Sequence, residues 1–108
     1  MEWKKYNDKY DVSNLGEIRN NKTNRILKDW TCGSGYRKVQ IGSGRLRHTV
    51  HRIVAEMFCV KPITNDILEV NHIDCNKLNN NASNLEWCSH QQNCNRKKIH
   101  MLNVSLNL

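Results

Sequence analysis

The first half of the chain alternates single apolar positions with polar and turn-forming residues. Turn-forming clusters interrupt the pattern at residues 13–16, at residues 20–24 and at a Gly-Ser-Gly segment over residues 42–44. Alternation broken in this way is typical of short antiparallel strands and hairpins, so we predict a small antiparallel sheet here. The apolar positions that define its strands are Val12, Ile18, Ile26, Leu27, Val39, Ile41, Leu46 and Val50.

The period changes at residue 50, where apolar residues recur on one stripe of a helix. The stripe consists of Val50, Ile53, Val54, Met57 and Phe58. Thr49 stands where an N-cap is expected, and Pro62 ends the segment. His51 lies off the stripe, and because an isolated histidine in such a position is usually structural, we assign it a structural role. This helix is the predicted core element.

The C-terminal half predicts the order strand, loop, strand, helix. Apolar alternation indicates strands at residues 67–72 and 85–88, with Leu85 and Trp87 buried in the second. The intervening loop is rich in asparagine, which bonds its own backbone and tolerates left-handed geometry. An S-x-x-Q capping box at Ser89 then starts a helix that continues to about residue 98.

Charge is distributed unevenly. The net charge is +7, and residues 1–52 carry all of the excess, with twelve Lys or Arg against five Asp or Glu. Clustered cations of this kind release counterions from a phosphate backbone, which favours nucleic-acid binding, although a merely soluble basic surface stays the alternative. The predicted DNA contacts are, first, Arg37, Lys38, Arg45 and Arg47 and, with less support, Arg25 and Lys28.

The cysteines and the hydropathy pattern narrow the class of protein. Five cysteines leave one unpaired in any disulfide scheme, and no C-x-x-C pair occurs, so a structural zinc site is not expected. An irregular zinc site at Cys88 and Cys94 is a weak alternative. Neither a signal peptide nor an apolar run long enough to cross a membrane is present. We therefore expect an intracellular, soluble protein without a membrane partner.

A chemical site is expected where the second half changes from strand to helix. His72 ends the first predicted strand, and Asn93 lies one turn beyond the capping box, so the two can face each other across a small cleft. Asn71 and Asp74 flank the imidazole. A neutral imidazole beside oxygen ligands suits magnesium- or manganese-assisted attack of water on a phosphate.

Two stretches in this half resemble the HNH endonucleases, particularly the homing-endonuclease branch of phages and group I introns. They are "VHRIVAEMF" and "VNHIDCNKLNNNASNLEWCSHQQN", and the N-terminal "WKKYNDKYDVSNLGEIRNNKTNRILK" resembles the small module that precedes the nuclease in that branch. The resemblance implies an α+β protein with an N-terminal antiparallel sheet and a core helix, followed by a ββα-metal hairpin–helix motif. We divide the chain at residue 48 into a DNA-binding module and a nuclease part, folded as one compact unit.

The resemblance also implies roles for individual residues. His72 would be the general base, and Asn84 would hold the loop and so orient His72. Asn71 and Asn93 would bind one divalent ion, Mg²⁺ or Mn²⁺. Because two carboxamides bring no negative charge, we expect metal binding to be weak without DNA. Cys75 stands where many relatives have glycine, which strains the turn if a positive φ is needed there.

The favoured function is therefore a metal-dependent HNH endonuclease acting on double-stranded DNA. A single site in a small monomer favours nicking of one strand, whereas a dimer would permit cleavage of both strands. The first alternative is a DNA-binding protein on an HNH scaffold that has lost activity, and the second is a small zinc-stabilised interaction domain.

Overall fold

The computed structural model of the chain describes residues 1–42 and 47–89. Within those residues, short strands form three antiparallel sheets around one helix. The elements are β1 Trp3–Lys5, β2 Tyr10–Ser13, β3 Ile18–Asn20, β4 Trp30–Thr31, β5 Arg37–Gln40, β6 Arg47–Thr49, α1 Val50–Phe58, β7 Leu68–His72 and β8 Leu85–Ser89. The predicted α+β class is confirmed.

Residues 1–52, which carry the excess of positive charge, are called the basic half. This half contains two three-stranded sheets, ordered β1-β2-β3 and β4-β5-β6. The predicted strands around Val12, Ile18 and Val39 are present, and all three side chains are buried. β1 and β4 lie at sheet edges and were not predicted, because such short edge strands carry little apolar alternation. In the predicted hairpin, β5 pairs with β6, whereas Val50 belongs to the helix rather than to the hairpin.

Helix α1 is the centre of the core, as its stripe predicted. Val50, Ile53 and Val54 are buried, and the helix contacts both N-terminal and C-terminal strands. Thr49 occupies the N-cap position, but its side chain makes no capping hydrogen bond. The indole Nε1–H of Trp87 donates to the carbonyl oxygen of Ala55 at 3.2 Å. This bond attaches the C-terminal hairpin to the helix.

The C-terminal hairpin pairs β7 with β8 in an antiparallel register. Asn71 lies opposite Glu86, and His72 lies opposite Leu85 at the end of the ladder. A 3₁₀ turn over Ala82–Asn84 closes the loop before β8 begins. The two predicted strands are therefore present within a residue or two of their expected ends, while the predicted helix after Ser89 lies outside the described residues.

The basic half packs against the loop of this hairpin. The backbone N–H of Ala82 donates to the carbonyl oxygen of Asn14 at 2.8 Å. The ammonium of Lys77 donates to the carbonyl oxygen of Ser34, also at 2.8 Å. The predicted division at residue 48 falls within β6 and stays a prediction. Helix α1 is too short to span a membrane, and the described part of the chain contains no longer helix.

Candidate active site

His72 stands at the end of β7 with its ring almost completely buried. The side chain is 5% exposed, and its Nε2 lies 2.8 Å from the side-chain oxygen Oδ1 of Asn80. Since an amide oxygen only accepts hydrogen bonds, Nε2 carries the proton and donates it. The other ring nitrogen, Nδ1, then keeps its lone pair. In this arrangement Nδ1 is the atom that can accept a proton from water.

Asn84 ties the two ends of the loop together. Its amide nitrogen donates to Asp74 Oδ1 and to the carbonyl oxygen of Asn79, both at 2.9 Å. Its side-chain oxygen accepts from the backbone N–H of Asp74 at 3.0 Å, and its backbone oxygen accepts from Ile73 at 2.8 Å. These bonds fix the chain directly after His72. The role assigned to Asn84, that it orients His72, stays a prediction.

Asp74 is engaged inside the same loop. Its carboxylate accepts hydrogen bonds from the side-chain amide of Asn79, the backbone N–H of Asn76 and the side-chain amide of Asn84. In that order, these three bonds hold the pKa of Asp74 below its usual value. Asp74 thus stabilises the loop, and both of its oxygens take part in doing so.

Asn71 is buried on β7 beside Glu86 of the paired strand. The side chain is 6% exposed, and its amide nitrogen donates to Glu86 Oε1 on the paired strand at 3.1 Å. Because the nitrogen makes this bond, Oδ1 of Asn71 points away from that contact, and an amide oxygen is a hard donor that suits Mg²⁺ or Mn²⁺. The residue present fits such an ion. Asn93, the other predicted ligand, lies outside the described residues.

Soft-metal chemistry has no comparable site in the described residues. There, no group of three or more His, Cys, Asp or Glu side chains could hold a metal ion, and no disulfide joins the cysteines. Cys94, which belongs to the irregular zinc site considered from sequence, lies beyond the described part of the chain.

The rings of Tyr36, His51 and His72 form a three-membered cluster, in which the centroids of Tyr36 and His72 are 5.9 Å apart. The ring centroids of Tyr36 and His51 are 4.8 Å apart and stacked, and those of His51 and His72 are 4.9 Å apart and tilted. The ammonium of Lys77 lies 4.7 Å from the Tyr36 centroid. The basic half therefore contributes a side chain to the surroundings of the candidate base.

His51 has unusual surroundings for a histidine assigned only a structural role. Burial, followed by the charges of His72 and Arg52, lowers its pKa to about 4. Its Nδ1 is buried without a hydrogen-bond partner. His51 is therefore neutral at pH 7. Its off-stripe position indicated polar surroundings, but no signal in the sequence identified His72 as its neighbour.

The predicted DNA contacts differ in their availability. Arg37 is bound internally: its guanidinium contacts both carboxylate oxygens of Asp29, at 3.0 and 2.6 Å, and lowers the pKa of that carboxyl. Lys38 lies on the opposite face of β5 from buried Val39. The remaining four are exposed (Arg25 and Lys28), outside the described residues (Arg45), or described only in the backbone of β6 (Arg47).

Comparison with known proteins relates both halves of the chain to one class. Residues 48–94 match the family model described as HNH endonuclease, and residues 1–42 match the model described as the NUMOD4 motif. DNA endonuclease I-HmuI of Bacillus phage SP01 is 38% identical over 97% of this chain and 63% of its own length. The uncharacterized HNH endonuclease L245 of Acanthamoeba polyphaga mimivirus is 39% identical over 97% of this chain and 36% of its own length.

A solved structure shows the same fold. It is described as DNA binding and cleavage by the HNH homing endonuclease I-HmuI, and it superimposes with a TM-score of 0.80 at 34% identity. The alignment covers 93% of this chain and 59% of that chain. The chain thus spans less than two thirds of the length of these relatives.

Replacing Cys75 by glycine should stabilise the protein. Cys75 has a φ of +61°, a left-handed conformation in which a Cβ is unfavourable. Glycine removes that strain but gains entropy when unfolded, so we expect a net increase of about 0.5 kcal/mol in the free energy of unfolding, measured in urea. Cys75→Ala, which keeps the Cβ, is the matched control. Equal stability of the two variants would show that the positive φ of residue 75 does not strain the folded protein.

Replacing His51 by phenylalanine should weaken the pH dependence of stability. The folded pKa of about 4 lies below the ordinary value of 6.5, so the unfolded chain binds the extra proton as pH falls between them. His51 therefore reduces stability from about pH 6.5 downward, with a slope below about 1.4 kcal/mol per pH unit, because the unfolded and folded states differ by less than one bound proton. Urea unfolding at pH 7 and pH 5 measures this difference. An unchanged slope in His51→Phe would refute the assignment.

Proposed function

Because the chain belongs to the HNH endonuclease family, we propose that it is a DNA endonuclease that hydrolyses phosphodiester bonds with one divalent metal ion. The observation that carries this proposal is the state of His72. Its ring is buried at the end of β7, Asn80 binds its Nε2, and Asn84 fixes the loop that follows. Such a histidine is oriented to act as a general base rather than only to fill the core.

In the proposed reaction, Nδ1 of His72 takes a proton from a water molecule. The water oxygen forms a bond to phosphorus in line with the bond that breaks, and the 3′-oxygen leaves. A bound divalent ion would supply electrostatic stabilisation to the phosphate and to the leaving oxygen. Asn84 contributes by holding the backbone after His72, which keeps the imidazole in one orientation.

We assign Asn71 as one ligand of the ion and Asn93 as the other, in keeping with the family pattern. HNH endonucleases generally use a divalent metal, and the hard oxygen donors favour Mg²⁺ or Mn²⁺. The hydrogen bond to Glu86 supports Asn71 in this role, because it engages the nitrogen of the amide. With two neutral ligands, the site depends on DNA phosphate oxygens to complete its coordination.

The proposed substrate is double-stranded DNA, attracted by the excess of positive charge in residues 1–52. I-HmuI, whose solved structure concerns DNA binding and cleavage, is similar over nearly the whole of this chain. A single His72 site in a monomer would cut one strand per visit, so nicking is the proposed outcome. Among the cations, Lys38 is favoured over Arg37, whose charge is paired with Asp29.

Cleavage of a supercoiled plasmid tests the proposed activity. Wild-type protein with Mg²⁺ or Mn²⁺ should convert the supercoiled form to nicked circles, and EDTA should stop the reaction. His72→Ala should lower the rate at least about 100-fold, since a general base contributes a factor of that size. His48→Ala is the matched control. Binding without cleavage in every divalent metal would instead support the inactive DNA-binding protein.

The salt dependence of DNA binding tests the proposed interface. Lys38→Ala should weaken binding to unrelated duplexes alike, because a phosphate contact carries no sequence information. The slope of log affinity against log salt should become shallower by about one, the loss of one neutralised phosphate. Lys61→Ala, in the segment after α1, should keep the slope. A wild-type slope in Lys38→Ala would remove this lysine from the interface.

A further inference from the structure

Asn80 is the one member of the asparagine run that touches the imidazole. It is 7% exposed, and its side-chain oxygen lies 2.8 Å from His72 Nε2. The neighbours act elsewhere: the side chain of Asn79 bonds to Asp74, and that of Asn81 makes no capping bond to the turn it precedes. A buried acceptor aimed at one ring nitrogen controls which nitrogen carries the proton.

A turn of the basic half, at Gly16, lies against Asn80. Gly16 has a φ of +89°, and a Cβ added there would lie 3.1 Å from both the Cβ and the backbone oxygen of Asn80. The turn that contains Gly16 is fixed by fully buried Ser13, whose hydroxyl accepts from the backbone N–H of Glu17 at 3.0 Å. The positive φ favours glycine at this position, and the missing Cβ leaves room for Asn80 against the turn.

We propose that Asn80 is a positioning residue that selects the tautomer of His72, and that the turn at Gly16 in the basic half holds it in place. This inference rests on the proposed function, in which His72 is the general base. With the proton kept on Nε2, the lone pair of Nδ1 is always the one that meets water. The sheet module is then part of the catalytic apparatus as well as a surface for DNA.

The alternative tautomer shows why this matters. Without an acceptor at Nε2, the proton is shared between the two nitrogens, and the fraction with protonated Nδ1 cannot take a proton from water there. For histidines that bind a metal ion, losing such an outer partner typically costs about 10- to 100-fold in affinity or activity, and we expect a loss of that size here. The loss should appear in kcat, because Asn80 bonds to the proposed base and acts on the reaction only through it.

Nitrogen-15 NMR of the full chain, labelled in its histidine rings and free of DNA and metal, measures the tautomer of His72 directly. In wild type, His72 should be protonated on Nε2. Asn80→Leu keeps the shape of the side chain but removes the acceptor, so a mixture of tautomers should appear and kcat should fall about 10- to 100-fold with little change in KM. Asn80→Asp restores an acceptor and should recover both. Asn81→Leu is the matched control and should behave as wild type.

The outcomes separate this inference from the proposed function. His72 protonated on Nδ1 in wild type, or an unchanged tautomer in Asn80→Leu, would overturn it even if the protein cleaves DNA. An Nε2–H tautomer that depends on Asn80, in a protein without nuclease activity, would support it and refute the proposed function. Should Asn80→Leu not fold, Asn80→Ala takes its place, judged by the same tautomer measurement. Gly16→Ala, which presses on Asn80 from the other side, should give a smaller loss of the same kind.

Discussion

The bonds made by the side chain of Asn84 are the constraint on which the candidate site depends. One carboxamide satisfies the backbone N–H of Asp74, a carboxylate oxygen of the same residue and the carbonyl oxygen of Asn79. Asn84 itself is buried, so its carboxamide would be costly to leave without these partners. This network ties the two ends of a long loop together. It thereby fixes the backbone directly after His72, at the end of β7.

The basic half of the chain also contacts this loop and helps to hold it in place. A Cβ at Gly16 would lie 3.1 Å from Asn80, the carbonyl oxygen of Asn14 accepts a hydrogen bond from Ala82, and Tyr36 belongs to the ring cluster that includes His72. The basic half therefore contributes to the proposed site both through its positive charge and through its contacts with the loop. The half that carries the excess of positive charge, suited to hold a phosphate backbone, also braces the group proposed to act on it.

Local patterns predicted the helix and the hairpin well, because a stripe or an alternation is written in consecutive residues. Val50 to Phe58 form the expected helix, and His72 and Leu85 mark the ends of the expected strands. The surroundings of His72 could not be predicted in this way. Tyr36 and His51 reach it from distant segments, and only packing decides that Asn80, rather than its neighbours in the run, faces the ring. The roles of Asn71, Asn84 and Asn93 came from resemblance to a family and stay proposals.

The central claim is that one imidazole and nearby amide oxygens hold a water molecule and an ion against a phosphodiester. A crystal structure of the chain with duplex DNA and Mn²⁺ tests it most directly, since manganese is located by its anomalous scattering. The account predicts an ion about 2.1 Å from Oδ1 of Asn71, and a water molecule between Nδ1 of His72 and a phosphate. An ion bound elsewhere, or a His72 whose Nδ1 faces away from the DNA, would contradict it.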